Sequence, residues 1–316
     1  MNMLWAIFPI LASVFYCIGS YIQNHLTDHA LPKKRAGSYI IMHIPCYIAA
    51  MVLLLVFFGR AVFMLPMVNI VGLVVAGAIN VIGSLFFYRA LQAGDTIDIT
   101  IFNQTSPLIS LLFGFLLLGK GITPNQTIGL VCIMAAALIV ILGGEKKRNS
   151  PPNLKVAAIT IVHAIFSVLS DVVYKKYIGD GTANFTLLAQ GFFYFELGSL
   201  LLTSIVVMCS EKSRKAIKKT FFGGKNHGKN LALSMIDAAS YLLAEFLYKI
   251  GLLLAPVVAL VTAVGKAASL FASFFMNMVL GRLFPKVIRA KKFTRRMLFQ
   301  YLLAGVIIMA GIIVMN

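Results

Sequence analysis

The feature that most limits what this chain can fold into is a succession of apolar runs, each roughly the 20 residues a helix needs to cross the hydrocarbon core of a bilayer. They fall at about 3 to 22, 37 to 58, 67 to 91, 96 to 118, 125 to 143, 154 to 176, 185 to 209, 230 to 253, 255 to 280 and 297 to 315. A backbone in lipid must satisfy its own polar groups, which leaves helices or closed barrels, and runs this long and continuous select helices. The expectation is an all-α integral membrane protein of ten transmembrane helices.

Composition agrees: 60% of the 316 residues are hydrophobic and 12% charged, more apolar than a soluble core of this size requires. A net charge of +18 could suggest nucleic acid. That partner needs bases clustered on a polar face among stacking aromatics, whereas here they sit between apolar runs, so none is expected. The first run has no basic region before it and no clear small-residue cleavage site, and it reads as a retained span instead of a signal peptide. Cys17, Cys46, Cys132 and Cys209 lie inside apolar runs without zinc or disulfide spacing and read as small packing residues.

The runs repeat. Phe87-Tyr88-Arg89-Ala90-Leu91, an apolar span, Leu118-Gly119-Lys120 and a further apolar span are echoed by Leu247-Tyr248-Lys249-Ile250, an apolar span, Leu280-Gly281-Arg282 and a final span. Ser13-Val14-Phe15 likewise aligns with Ala164-Ile165-Phe166, and the polar link 144–152 suits a joint between repeats. The organisation expected is residues 1–148 and 149–316 as two five-helix repeats. Five is odd, so the second repeat enters the membrane inverted, as in secondary transporters.

Loop charge sets an orientation. Of 28 Lys and Arg, 22 fall after spans one, three, five, seven and nine, five fall after the other spans, and Lys266 lies deep in span nine. The basic side should be cytoplasmic, which puts both termini outside. The basic stretch 282–296 interleaves Leu283, Phe284, Val287, Ile288 and Phe293, consistent with either an amphipathic segment on the inner leaflet or a solvated loop.

Ionisable groups inside spans face the bundle interior, a cavity or a partner. Asp98, Asp171, Glu196, Asp237 and Glu245 fall within the spans, and Lys266 is the base deep in one. Asp98 and Asp171 lie near span ends, within reach of interfacial water. Asp237, Tyr241 and Glu245 are spaced i, i+4, i+8 and share one helical face, which should line the interface between repeats. A buried ion pair of Glu245 or Glu196 with Lys266 is the structural alternative. Counting back 15 residues from Gly119 and from Gly281 matches Gln104 with Lys266, and the alignment on Tyr88 and Tyr248 matches Asn80 with Ser240. Equivalent positions of inverted repeats meet near the midplane, where substrate is expected. Pro107 can open span four there.

Other patterns carry less. His25, Asp28 and His29 sit together at the first loop without a further metal ligand, and Asn125-Gln126-Thr127 is a glycosylation pattern abutting a span. No phosphate loop, nucleophile elbow or zinc-protease motif occurs, and neither catalysis nor a cofactor is expected.

Tyr88-Arg89-Ala90-Leu91, Ser106-Pro107-Leu108, Leu117-Leu118-Gly119 and Ile122-Thr123-Pro124-Asn125-Gln126-Thr127-Ile128-Gly129 together resemble the EamA-type proteins of the drug/metabolite transporter superfamily. That resemblance implies ten spans in two repeats. The chain departs from it at Lys120 and Arg282, where an acid is usual, and at Ala268-Ser269, where a proline is expected. The functional expectation is a secondary transporter, an exporter or exchanger in the cell membrane. It would move a small polar metabolite or drug-like molecule by alternating access, with proton coupling as an option. The chain would act as a monomer or homodimer, in contact with membrane lipid. Substrate-binding or coupling candidates are Asp237, Glu245 and Glu196 for proton coupling or a cationic group, Lys266 for a carboxylate or phosphate or as an acid's partner, and Tyr241, Asn80, Tyr88, Asn103 and Gln104 for hydrogen bonds. The alternatives are a translocator of lipids or lipid-linked sugars and a non-transporting membrane scaffold.

Overall fold

A computed structural model of the chain describes residues 4–29, 36–93, 99, 102–142, 154–179, 184–223, 226–283 and 295–314. Among these residues the structure is helical, without strands. The main helices are α1 (Leu4–His29), α2 (Ile44–Phe58, entered through the 3-10 turn Ala36–His43), α3 (Met67–Ala93), α4 (Ser106–Leu118), α5 (Pro124–Leu142), α6 (Leu154–Ile178), α7 (Phe185–Cys209), α8 (His227–Leu254), α9 (Val258–Leu283) and α10 (Arg295–Val314). A short helix, Glu211–Ile217, follows α7. Six segments are long and apolar enough to cross a bilayer: Leu4–Gln23, Tyr39–Phe63, Met67–Ala93, Leu154–Ile178, Phe185–Cys209 and His227–Leu254. The helices α4, α5, α9 and α10 carry shorter apolar stretches.

Local chemistry sets several of the ends. Thr123 and Gln126 form a reciprocal cap at the start of α5, the Thr123 N–H donating to Gln126 Oε1 at 3.0 Å and the Gln126 N–H to Thr123 Oγ1 at 3.3 Å. The glycosylation-like triplet is therefore part of a helix start. Asn184 Oδ1 accepts from the N–H groups of Thr186 and Leu187 and caps α7. Gly119, at φ +64°, closes α4 with the Lys120 N–H reaching back to the Gly114 carbonyl. At the end of α8, the Lys175 ammonium donates to the carbonyls of Leu252, Leu253 and Ala255 at 2.7, 3.0 and 3.0 Å. A cation there satisfies carbonyls that the helix leaves unpaired. Lys175, reckoned from the sequence as a loop base, is buried inside the bundle.

The longest packing seams run between α3 and α6 and between α1 and α8, with α5 against α10, α2 against α7 and α4 against α9. The α3–α7 seam is the tightest in backbone terms: a Cβ on Gly77 would meet the Phe195 carbonyl oxygen at 1.9 Å, and one on Gly198 would meet that of Val74 at 2.0 Å. Small residues allow such approach where lipid supplies no hydrophobic drive. Trp5, Leu130, Leu252, Val258 and Val261 fill a dry core at one end of the bundle. Outward, Val56, Phe57, Leu154 and Val306 are among the large apolar side chains left exposed, the surface expected of helices in lipid.

One departure from the sequence reading concerns the spans. Span four is not one helix: Gln104 and Thr105 form a turn, and α4 begins at Ser106 with Pro107 in its first turn. Proline lacks the N–H that an interior position would need, and the first turn is where that lack is harmless. Asp98, the link 143–153, and the basic residues 284–294 lie outside the described residues, as do the side chains of Asp28 and His29.

Candidate functional site

A cavity of about 250 Å³ lies between α1, α3, α4, α6, α8 and α9. Near the middle of the helices its wall carries the polar side chains of Ser13 and Tyr16 from α1, Asn80 from α3, Asp171 from α6, Tyr241 and Glu245 from α8, and Thr262 and Lys266 from α9. Asn103 and Gln104 reach it from the break before α4. It extends toward the C-terminal ends of α1, α3 and α9, where Gln23, Leu91 and Ser273 form the wall. The dry core around Trp5 and Val258 lies toward the opposite ends of those helices.

Of the nine sequence candidates, Asn80, Tyr88, Asn103, Gln104, Tyr241, Glu245 and Lys266 line this cavity, whereas Asp237 and Glu196 are fully buried outside its wall. The α8 stripe meets the first part of the chain at every step. Tyr241 accepts from the Asn80 side chain at 2.9 Å, Glu245 accepts from the Tyr16 hydroxyl, and Asp237 accepts from Gln23 and, at 2.6 Å, from Tyr39.

The stripe has a fourth member. Lys249, one turn beyond Glu245, is fully buried, with its ammonium 2.8 Å from Asp171 Oδ1 and 3.0 Å from Glu245 Oε1. The rings of Tyr174 and Phe195 flank it at 4.7 and 4.2 Å. This corrects two readings at once. Lys249 is not a loop base, and it, not Lys266, is the partner of the buried acids. Asp171 is buried within the bundle, in the cavity wall. The i+4 step that joined Asp237, Tyr241 and Glu245 leads to Lys249, so the signal was present in the sequence.

Lys266 has a different setting. Among the described residues no carboxylate lies within ion-pair distance of its ammonium; Asp171 and His163 are the ionisable groups that feel its charge. His163 Nδ1 is held 2.9 Å from the Gly83 carbonyl oxygen. Thr262 Oγ1 donates to Ser110 Oγ at 3.4 Å, fixing the antiparallel register of α9 on α4. One turn on along α9 and one turn back along α4, that register sets Lys266 level with Ser106 and the break at Gln104.

Two further groups sit behind the wall. Asp237 belongs to a network with Gln23, Tyr39 and His43, whose Nε2 lies 3.6 Å from Asp237 and 3.1 Å from the hydroxyl of cavity-lining Tyr88. Glu196, at the α7 surface facing Lys249 and Tyr47, has neither carboxylate oxygen hydrogen-bonded among the described residues. A buried acid without a partner is costly to hold in its charged form. Gln23, Tyr39 and His43 carried no signal that sequence reading could use, because they meet Asp237 only through the fold. The four cysteines are free; Cys17 Sγ lies 3.2 Å from Ser273 Oγ in the cavity wall. Among the described residues no group of three His, Cys, Asp or Glu side chains is placed to hold a metal ion.

Apolar outer faces and several helices long and apolar enough to span a bilayer describe a multi-pass membrane protein whose interior holds polar and charged groups. Residues 3–142 match the model of the EamA-like transporter family, which belongs to the drug/metabolite transporter superfamily. A protein of known crystal structure, titled only as a protein, superposes with a TM-score of 0.67 at 13% identity, covering 99% of this chain and 96% of the other. At that identity the likeness is one of fold. No curated protein matches the sequence.

Proposed function

We propose that this chain is a secondary active transporter that carries a small polar metabolite through the cavity between α1, α3, α4, α6, α8 and α9 by alternating access. The observation that carries the reading is the cavity wall itself, where seven residues picked from the sequence as substrate or coupling positions come from separate segments and meet around one space. Its volume falls just under the ~300–1,000 Å³ typical of pockets for drug-sized ligands, which suits a metabolite and not a polymer.

The proposal includes ten spans in two inverted repeats, 1–148 and 149–316. Exchanging the first and sixth helices, the third and eighth, and so on turns the α3–α6 seam into the α8–α1 seam and leaves the α5–α10, α2–α7 and α4–α9 contacts in place, which supports that symmetry. The cavity extends toward the ends that precede the basic connections. With those connections cytoplasmic, this conformation faces inward. Glu245 and Glu196 are the candidate proton carriers, with Lys249 able to stabilise either acid.

Purified protein in proteoliposomes, loaded with pools of labelled metabolites sorted by charge, tests the reading by counterflow. Expected is exchange above empty liposomes for at least one pool, lost or uncoupled from a pH gradient in Glu245→Gln while that variant remains folded and extractable. Flux equal to empty liposomes in every pool would point to a scaffold; full coupled flux in Glu245→Gln would remove that acid from the mechanism.

A further inference from the structure

We propose that the cavity selects a small organic anion, its carboxylate or phosphate group docking on Lys266 beside the break that precedes α4. The inference rests on the cavity being the substrate site and adds the chemical class of the substrate.

The argument is an accounting of which charged groups are still free to meet a ligand. Glu245 spends Oε1 on Lys249 and Oε2 on the Tyr16 hydroxyl. Asp171 holds Lys249 through Oδ1 at 2.8 Å. A cationic ligand would have to displace an ammonium that is fully buried between two carboxylates and two aromatic rings. Removing it would leave a buried charge uncompensated, which is strongly unfavourable. The acids in the wall are therefore already paired, which leaves no free acid there for a cationic substrate.

Lys266 is the opposite case. It lines the cavity and has no ion-pair partner among the described residues. Level with it, the Gln104 side chain lines the same space and makes no hydrogen bond among the described residues. Asn103 Oδ1 accepts from Ser106 Oγ at 3.0 Å, which leaves its amide N–H groups as donors. A lone cation beside amide donors, in a wall whose acids are satisfied, is complementary to an anionic group. The helix break matters because it frees these side chains: in a continuous span Gln104 and Thr105 would belong to an unbroken helix, whereas here they form the turn on the cavity.

The test uses the full chain in detergent and in nanodiscs. Five-carbon probes of one frame, namely glutarate, glutaramide and 1,5-diaminopentane, are compared by thermal shift and titration calorimetry with glycerol 3-phosphate and glycerol. Expected is stabilisation by glutarate or glycerol 3-phosphate over their uncharged counterparts. Binding should weaken about tenfold or more in Lys266→Met and recover in Lys266→Arg. Nanodiscs of phosphatidylglycerol against phosphatidylcholine separate the two sources of such an anion. A Lys266-dependent shift with phosphatidylglycerol alone keeps the anion site and assigns it to a lipid headgroup. Preference for the diamine, anion binding unchanged in Lys266→Met, or no anion binding at all would overturn the inference. Counterflow of neutral or cationic pools would then leave the transport reading standing, and its absence would remove both. Should Lys266→Met not accumulate as folded protein, Gln104→Leu gives the same readout from the other side of the site.

Discussion

The ammonium of Lys249 lies 2.8 Å from the carboxylate of Asp171, tying α8 to α6 in the interior of the bundle. The same ammonium reaches Glu245 one turn away, so one lysine neutralises acids from two helices. Removing it strands both. Lys249→Met should destabilise the protein by about 3–5 kcal/mol, the usual cost of breaking a buried pair from one side. Asp171→Asn in the same chain should recover part of that loss. Thermal unfolding of the purified variants in detergent measures both; a Lys249→Met protein as stable as the parent would mean that the acids do not need their partner.

Much of the helix framework was legible because lipid imposes a length and an apolar character on each helix, and those are properties of local sequence. The span estimate 185 to 209 coincides with α7, and 67 to 91 falls two residues short of the end of α3. The break at Gln104 was only half visible: Pro107 signals that a helix can open, not that it starts one residue earlier. Site residues on a helical stripe were found by spacing, but their partners were not. His43 and Tyr39 approach Asp237 across about 200 residues of sequence, and Lys249 was mistaken for a loop base because it stood near the end of its span.

Asp237 tests how far a buried network of that kind holds the bundle together. Tyr39 is fully buried and donates to it at 2.6 Å. Tyr39→Phe keeps the ring contacts with His43 and Tyr88 and removes only the hydroxyl. The loss should be about 1.5–3 kcal/mol, the range for a hydrogen bond to a charged group. His43→Gln should cost less, about 0.5–1.5 kcal/mol, because its ring nitrogen lies 3.6 Å from the carboxylate, beyond good hydrogen-bond distance, and the bond at stake is the neutral one to the Tyr88 hydroxyl at 3.1 Å. The two midpoints of thermal unfolding, compared under one detergent, decide the order; equal losses would mean that the network acts through packing.

Glycines at the α3–α7 seam give a contrast that depends on geometry alone. A methyl group on Gly77 would collide with the Phe195 carbonyl oxygen, whereas one on Gly114 in α4 would meet nothing within 4 Å. Backbone on both sides cannot yield as a flexible side chain would. Gly77→Ala should therefore cost about 1–3 kcal/mol or more through forced separation of the helices. Gly114→Ala should be neutral or stabilising by up to about 1 kcal/mol, since alanine favours a helix over glycine. Yield of folded protein and unfolding temperature report both; a tolerant Gly77 would mean that α3 and α7 slide apart freely.

Membrane orientation follows from loop charge and can be tested with single thiols. Arg60 follows α2 and is exposed, and Lys229, in the first turn of α8, is exposed as well. One belongs to the sparsely charged set of connections and the other to the basic set, so the inverted plan puts them on opposite sides. With Cys17, Cys46, Cys132 and Cys209 replaced, Arg60→Cys should react with a membrane-impermeant maleimide on intact cells, and Lys229→Cys should react only after permeabilisation. The reverse pattern would put the basic connections outside and make the cavity, proposed to face inward, an outward-facing one. Labelling of both from one side would break the odd count of five spans between the halves, and with it the inverted repeat.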